Sequence, residues 1–375
     1  MRQTQGVEPR PPMRIASWFG LAVSRRRRRR VLAIGLLSLI GAATLWTWWA
    51  EGHPRQERQL RVLVHDRLAV WFPREMAPDD GWHGIHLRDR PAGASVGRVL
   101  LIHGLDEPGS IWDDLVPALG GAGYEVWELR YPNDQGIDRS ADYLAQHWLD
   151  LPPGRPVVLI GHSMGGLVAR DFVSRLRHPV GAPARVAGTS VAGAILVGTP
   201  NQGSEWARLR VWLELRDQFP TGQGRRFSLF AALRDGTGEA KIDLRPGSDF
   251  LRALNARPWP AAVPIRVIEG QLLDPPADLS TGLAAAAAEV QSDELRQRLR
   301  AWWSGIGQDL GDGVVTLESA RLPNGAPPLV LNASHRGLLL RQLPGAPEPP
   351  AIAPILQTLH DWRSMTPAQN EHESE

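Results

Sequence analysis

The chain has no cysteine. That excludes disulfides, thiol nucleophiles, thiolate metal sites and lipid attachment at a cysteine. It leaves the redox compartment open, because a cysteine-free chain is stable in either kind. Lysine is nearly as scarce: Lys241 stands alone among 42 basic residues, and the rest are arginine. That is a trait of composition rather than of chemistry. A dominant charge sign is lacking too, since 40 acidic residues leave a formal net charge of +2. Six arginines form one run, Arg25 to Arg30. The remaining basic residues therefore do not describe a nucleic-acid surface, and no nucleic-acid partner is expected. There is no internal repeat. Apolar residues make up 43% of 375 positions, enough for one large α/β domain plus a terminal segment.

Charge is absent altogether from Val31 to Ala50. As a helix those residues span about 30 Å, the thickness of a bilayer core. The preceding arginines favour the cytoplasmic side, and Trp46, Trp48 and Trp49 suit the far interface. The expectation is a single-pass anchor in the inner membrane, with the rest of the chain on the extracytoplasmic side. The rival is a secretory signal cleaved near Gly41–Ala43, which gives a secreted protein. The expected organisation is a basic segment (1–30), an anchor (31–50), a stem with an edge strand (51–97), a main domain (98–363) and a polar tail (364–375). The edge strand is sought in the apolar stretches Leu60–Val64 and Leu68–Phe72.

What the soluble part contains is alternation. Arg98–Ile102, Tyr124–Leu129, Val157–Ile160, Val191–Val197, Pro264–Gly270 and Leu329–Leu331 are apolar and strand-like. Ile111–Gly120, Ser140–Leu149, Leu167–Leu176 and Ile352–Trp362 are helical between and after them. Unbroken apolar strands alternating with helices imply a mainly parallel sheet covered on both faces. Two insertions interrupt the pattern. Asn201–Pro260 is a candidate cap or lid, and Asp274–Gly307 carries two further helical stretches.

The most informative stretch runs from Val157 to Ala169. An apolar strand leads through Gly161-His162-Ser163-Met164-Gly165-Gly166 into a helix. That is the setting of a Gly-x-Ser-x-Gly nucleophile elbow, in which small neighbours such as Gly161 and Gly165 allow a strained turn. A serine hydroxyl needs a base, and the base needs an orienting acid. Eleven histidines are present, so position decides among them. His335 follows the last strand and is the candidate base. His162 points away from Ser163, His103 supports the loop after the first strand, and His360 lies in the terminal helix. Asp312, between Gly311 and Gly313, is the candidate acid. Asp274 is its main rival because it follows a strand directly, and Asp309 comes next. Gly104 allows the first-strand loop to turn, so that the Leu105 N–H can face an oxyanion together with the Met164 N–H.

On these residues the chain resembles α/β-hydrolases of the lipase/esterase type. The shared landmarks are His103-Gly104, the Ser163 elbow, Gly198-Thr199-Pro200, Asp312-Gly313-Val314-Val315 and Ser334-His335-Arg336-Gly337. Leu244 to Asn255 also resembles a stretch of bacterial triacylglycerol-lipase-like proteins and of relatives of GPI inositol-deacylases. The resemblance covers about Val99 to Trp362. It implies the α/β-hydrolase fold, with nucleophile Ser163, acid Asp312, base His335 and oxyanion donors Leu105 and Met164. It also implies cleavage of a small-molecule or lipid ester through an acyl-enzyme, without metal or organic cofactor. Acyl transfer and amide hydrolysis use the same groups. From another class, the fold could serve as a non-catalytic binding module at a membrane.

Overall fold

In the computed structural model the described residues are 25–77, 82–105, 107, 109–205, 237–273, 310–341 and 345–365. The chain divides into two units, Met1–His53 and Pro54–Glu375. In the first unit, Arg25–Gly52 forms helix α1. Among the described residues no helix is long and apolar enough to cross a membrane. Several side chains of the uncharged stretch fall outside the described set.

The second unit opens with helix α2 (Pro54–Trp71) and the single turn α3 (Pro73–Met76). The strands expected at Leu60–Val64 and Leu68–Phe72 do not form, because both stretches lie in α2 or at its end. The misleading signal is an inverted pattern. Leu60, Leu63 and Val64 are 39–51% exposed, while Glu57 on the inward side is fully buried. Its carboxylate is held by Arg61 and Arg245, each at 3.0 Å. Arg58 reaches Asp243 at 2.9 Å and Asp138 at 2.6 Å, and Arg61 also donates to the Thr237 carbonyl. Apolar periodicity cannot find a helix whose inward stripe is charged.

The edge strand is instead β1 (Gly84–Asp89). It is followed by β2 (Gly97–Ile102), α4 (Leu115–Gly121), β3 (Tyr124–Arg130), α5 (Ile137–His147) and β4 (Val157–His162). Then come α6 (Met164–Asp171), which continues as a π-helical turn through Phe172–Arg177, and β5 (Val191–Val197). Two short helices, α7 (Glu239–Asp243) and α8 (Asp249–Ala256), precede β6 (Ile265–Gln271). One turn, α9 (Leu317–Ala320), precedes β7 (Leu329–Asn332), and α10 (Ile352–Met365) closes the chain. Much of both expected insertions, including residues 206–236 of the lid candidate and Asp274, lies outside the described residues, as does Asp309.

The seven strands form one sheet in the order β1-β3-β2-β4-β5-β6-β7. β1 pairs antiparallel with β3, and every other pair is parallel. Alternate residues of β2 enter opposite cores. Leu100 and Ile102 pack with Leu159, Trp148 and Phe172 on one face. Val99 and Leu101 pack with Ile160, Trp112 and Ile195 on the other. Covered on both faces, the parallel strands present their carboxyl ends together, the place where such sheets bind ligands.

The buried ion cluster of α2 gives a stability prediction. Glu57→Ala removes the buried carboxylate that Arg61 and Arg245 both face, so unfolding free energy should fall by about 3–5 kcal/mol. Urea unfolding followed by circular dichroism measures it. A loss below about 1 kcal/mol would place Glu57 in the range of exposed pairs and contradict its buried role.

Candidate active site

β4 ends at His162 and α6 begins at Met164, so the chain reverses at one residue. Ser163 makes that reversal at φ 54° and ψ −128°. Among the described residues only Ser163 and Asn324 are non-glycines with positive φ. Such a backbone costs on the order of 1–3 kcal/mol and persists only when its surroundings impose it. The surroundings do so here. Leu159, Ile160, Leu167 and Val168 are all fully buried, each worth about 1.5–3 kcal/mol, so packing of the strand and helix outweighs the strain. Between the fully buried His162 and Met164, Ser163 alone keeps partial exposure.

The glycines of the elbow are required by close approach. A Cβ on Gly165 would lie 2.0 Å from the Ile102 carbonyl oxygen, and one on Gly161 2.5 Å from Gly166 Cα. One on Gly166 would lie 2.0 Å from Thr199 Oγ1. The Ser163 N–H donates to the Val197 carbonyl at 2.9 Å, tying the turn to the end of β5. Met164 is the first residue of α6, so its N–H belongs to the turn that helix geometry leaves without an intrahelical acceptor.

The loop after β2 meets this turn. A Cβ on Gly104 would fall 2.7 Å from Ser163 Cβ and 3.2 Å from its Oγ. His103 is buried and stacks on Tyr131 with ring centroids 4.6 Å apart. Its Nδ1 lies 2.9 Å from the Gly104 carbonyl, and the Tyr131 hydroxyl donates to the His103 carbonyl at 2.6 Å. Burial pushes the His103 pKa down, which keeps it neutral, a support of the loop as its position in the sequence suggests. Leu105 follows and packs against the core.

Asp312 and His335 come together although 23 residues separate them: His335 Nδ1 stands 2.6 Å from Asp312 Oδ2. The other carboxylate oxygen accepts from the Val314 and Val315 N–H groups at 2.8 and 2.7 Å. The His335 N–H donates to the Asp312 carbonyl at 2.9 Å, so main chain and side chain are both fixed. Gly198, at φ 57°, makes room for the pair, since a Cβ there would lie 3.1 Å from the His335 ring. Gly198 directly follows Val197, which anchors Ser163, so serine and imidazole flank one strand end. The Asp312 side chain is fully buried and that of His335 is 11% exposed. Burial opposes charge on both groups. The Asp312 carboxylate nonetheless raises the His335 pKa, and His335 with the Val315 N–H lowers that of Asp312.

Two carboxyl groups of this region escape sequence reasoning. Glu269 is fully buried on β6, with Oε1 accepting from the Gly270 N–H at 3.1 Å. Burial first, then the Asp312 charge, pushes its pKa well above the usual carboxylate range, so Asp312 holds the negative charge and Glu269 stays neutral. An acid inside the apolar run Val267-Ile268-Glu269-Gly270 is the signal that could have found it. Glu107 is buried against His162, with Oε2 at 2.6 Å from Nδ1. Nothing in its sequence neighbourhood marks it. His162 also proves to be closer to the site than its place on the strand suggests, with its ring centroid 4.7 Å from that of His335. His360 is exposed on α10. Among the described residues no cluster of side chains could hold a metal ion.

Residues 99–302 match the model of the alpha/beta hydrolase family, more than half of the 375 positions. Solved structures to which the chain is similar include a mature lipase of Bacillus licheniformis, at 18% identity over 74% of this chain and 99% of that chain, with a TM-score of 0.45. A metagenomic carboxyl esterase shares 19% identity over 73% of this chain and 79% of that chain, at a TM-score of 0.48. A Staphylococcus hyicus lipase shares 15% identity over 76% of this chain and 100% of that chain, at a TM-score of 0.47. No curated protein sequence matches the chain. The family match spans most of β2, the strands β3 to β6 and the serine turn, and the chain belongs to the α/β-hydrolase family.

Proposed function

We propose that this hydrolase cleaves carboxylic esters through an acyl-enzyme on Ser163. The observation that carries the proposal is the positive-φ serine at the strand–helix junction, flanking a strand end against which a buried Asp312–His335 pair is packed. His335 takes the Ser163 proton as the hydroxyl attacks the ester carbonyl. The N–H groups of Leu105 and Met164 receive the negative charge that develops on the carbonyl oxygen, at about 3 kcal/mol per donor. His335 returns the proton to the leaving alcohol. Water then attacks the acyl group by the same route and restores Ser163. Asp312 remains an anion throughout, holding the imidazole in the tautomer with Nε2 toward the serine.

The proposal includes a tether. Its support is the run Arg25–Arg30 followed by the uncharged Val31–Ala50, and it places the catalytic domain on the extracytoplasmic side of the inner membrane. Such a position favours lipid-like or acyl-chain esters. After fractionation, the full-length chain should resist carbonate extraction. Recovery of a shortened chain beginning near Thr44 in the soluble fraction would remove the tether.

Two measurements test the chemistry. Ser163→Ala should lower kcat/KM on a panel of p-nitrophenyl esters by roughly 10³-fold or more and abolish labelling by a fluorophosphonate. Retained turnover in a pure sample would end the proposal. The base must be neutral to accept a proton, and its pKa is raised by Asp312. Activity should therefore be lost as pH falls through a value above the ordinary histidine pKa of about 6.5. Asp312→Asn should shift that limb to lower pH and cut kcat by roughly 10⁴-fold. An unmoved limb would point to another acid.

A further inference from the structure

A second acid–imidazole pair lies beneath the serine turn and has no part in the chemistry above. His162 is fully buried and Glu107 is 6% exposed. The Glu107 Oε2 atom makes two contacts, to His162 Nδ1 at 2.6 Å and to the Gly104 N–H at 3.3 Å. On its other side, His162 Nε2 lies 3.2 Å from the His335 backbone carbonyl. The edge of Trp112 closes over the imidazole, with centroids 6.4 Å apart.

Donor arithmetic assigns the protons. A carbonyl oxygen only accepts, so Nε2 of His162 must carry hydrogen. The chain of contacts therefore runs from the Gly104 turn through Glu107 and His162 to the loop that bears His335. His162 also directly precedes Ser163 in the chain. Glu107 occupies the Gly104 N–H, which leaves the donor role to the next residue, Leu105.

We propose that Glu107 and His162 form a positioning dyad that locks the oxyanion loop and the base loop in register on either side of Ser163. The inference rests on the serine-hydrolase proposal, because it assigns His335 as base. The base is then held at three points: its ring by Asp312, its N–H by the Asp312 carbonyl and its own carbonyl by His162. Burial opposes the charge on Glu107, but attraction and hydrogen bonding from His162 pull its pKa down to about 2. The acceptor at Gly104 is accordingly a full anion at working pH.

The substitutions that test this separate the two ends of the imidazole. His162→Asn keeps an amide near Glu107 but falls short of the His335 carbonyl. His162→Gln extends an amide N–H toward that carbonyl. In Glu107→Gln, one amide group replaces an anion that accepts twice. If its oxygen faces His162, Nε2 loses its hydrogen, and if its NH₂ does, Gly104 loses its acceptor. Either way one tie breaks with little change of volume.

Ester hydrolysis by the full chain should show kcat lowered about 30-fold in His162→Asn and about tenfold in Glu107→Gln, with KM within about threefold, because misplacement of about 1 Å can cost 10²-fold. His162→Gln should recover most of the kcat lost in His162→Asn. Wild-type kcat in Glu107→Gln would overturn the dyad, even if His162→Asn fails to fold. Equal losses in His162→Asn and His162→Gln, matched by equal losses of Tm, would also overturn it, leaving a structural pair. Ser163→Ala in the same assay separates the two proposals. An inactive Ser163→Ala beside normal dyad variants refutes the dyad alone, whereas an active Ser163→Ala refutes both.

Discussion

The site depends on one constraint: α6 starts so close to β2 and β4 that no side chain fits between them. A methyl group on Gly165 would overlap the Ile102 carbonyl, and one on Gly161 would overlap Gly166. Only with those positions empty can the chain leave β4 and enter a helix in one residue. The serine backbone is then forced into a conformation that few side chains adopt. The same contact brings the Gly104 loop against Ser163, so the approach that strains Ser163 also delivers the opposing loop. The geometry of the serine turn and that of the Gly104 loop therefore have a single origin.

Charge placement follows a second rule, that every buried ion near the site has an assigned partner. Asp312 carries the charge that faces His335, while its neighbour Glu269 stays protonated. Glu107 is ionised beside His162. Arg170, buried on α6, donates to Asn201 and Asn255 rather than to an acid, and burial pulls its pKa down to about 10. One carboxylate facing His335, with the second neutral, keeps the electrostatics of the site simple despite three buried acids within a few residues of it.

The sheet was legible because its strands are buried on both faces and read as unbroken apolar runs. The elbow was legible because glycine is the only residue small enough for its packing. The pairing of Asp312 with His335 followed from strand order. α2 was not legible, since its inward stripe is Glu57, Arg58 and Arg61 while its leucines face outward. Charges satisfied by partners about 190 residues away leave no local pattern. Glu107 was hidden for the same reason: its partner, His162, lies 55 residues on, and only the fold brings them within hydrogen-bond distance. Glu269 differs, because an acid inside a buried strand is itself a local anomaly.

The cluster around Glu57 bears on where the hydrolase begins. By sequence, the main domain starts at Arg98. Yet Asp243 is nearly fully buried, its pKa held up at about 6 by burial and drawn back by Arg58, and Arg245 is buried against Glu57. Both counter-charges reside on α2. A chain trimmed to the sheet would keep Ser163, Asp312 and His335 and still lose the two α2 charges that Asp243 and Arg245 face. α2 therefore belongs with the sheet to one compact unit, which begins at Pro54.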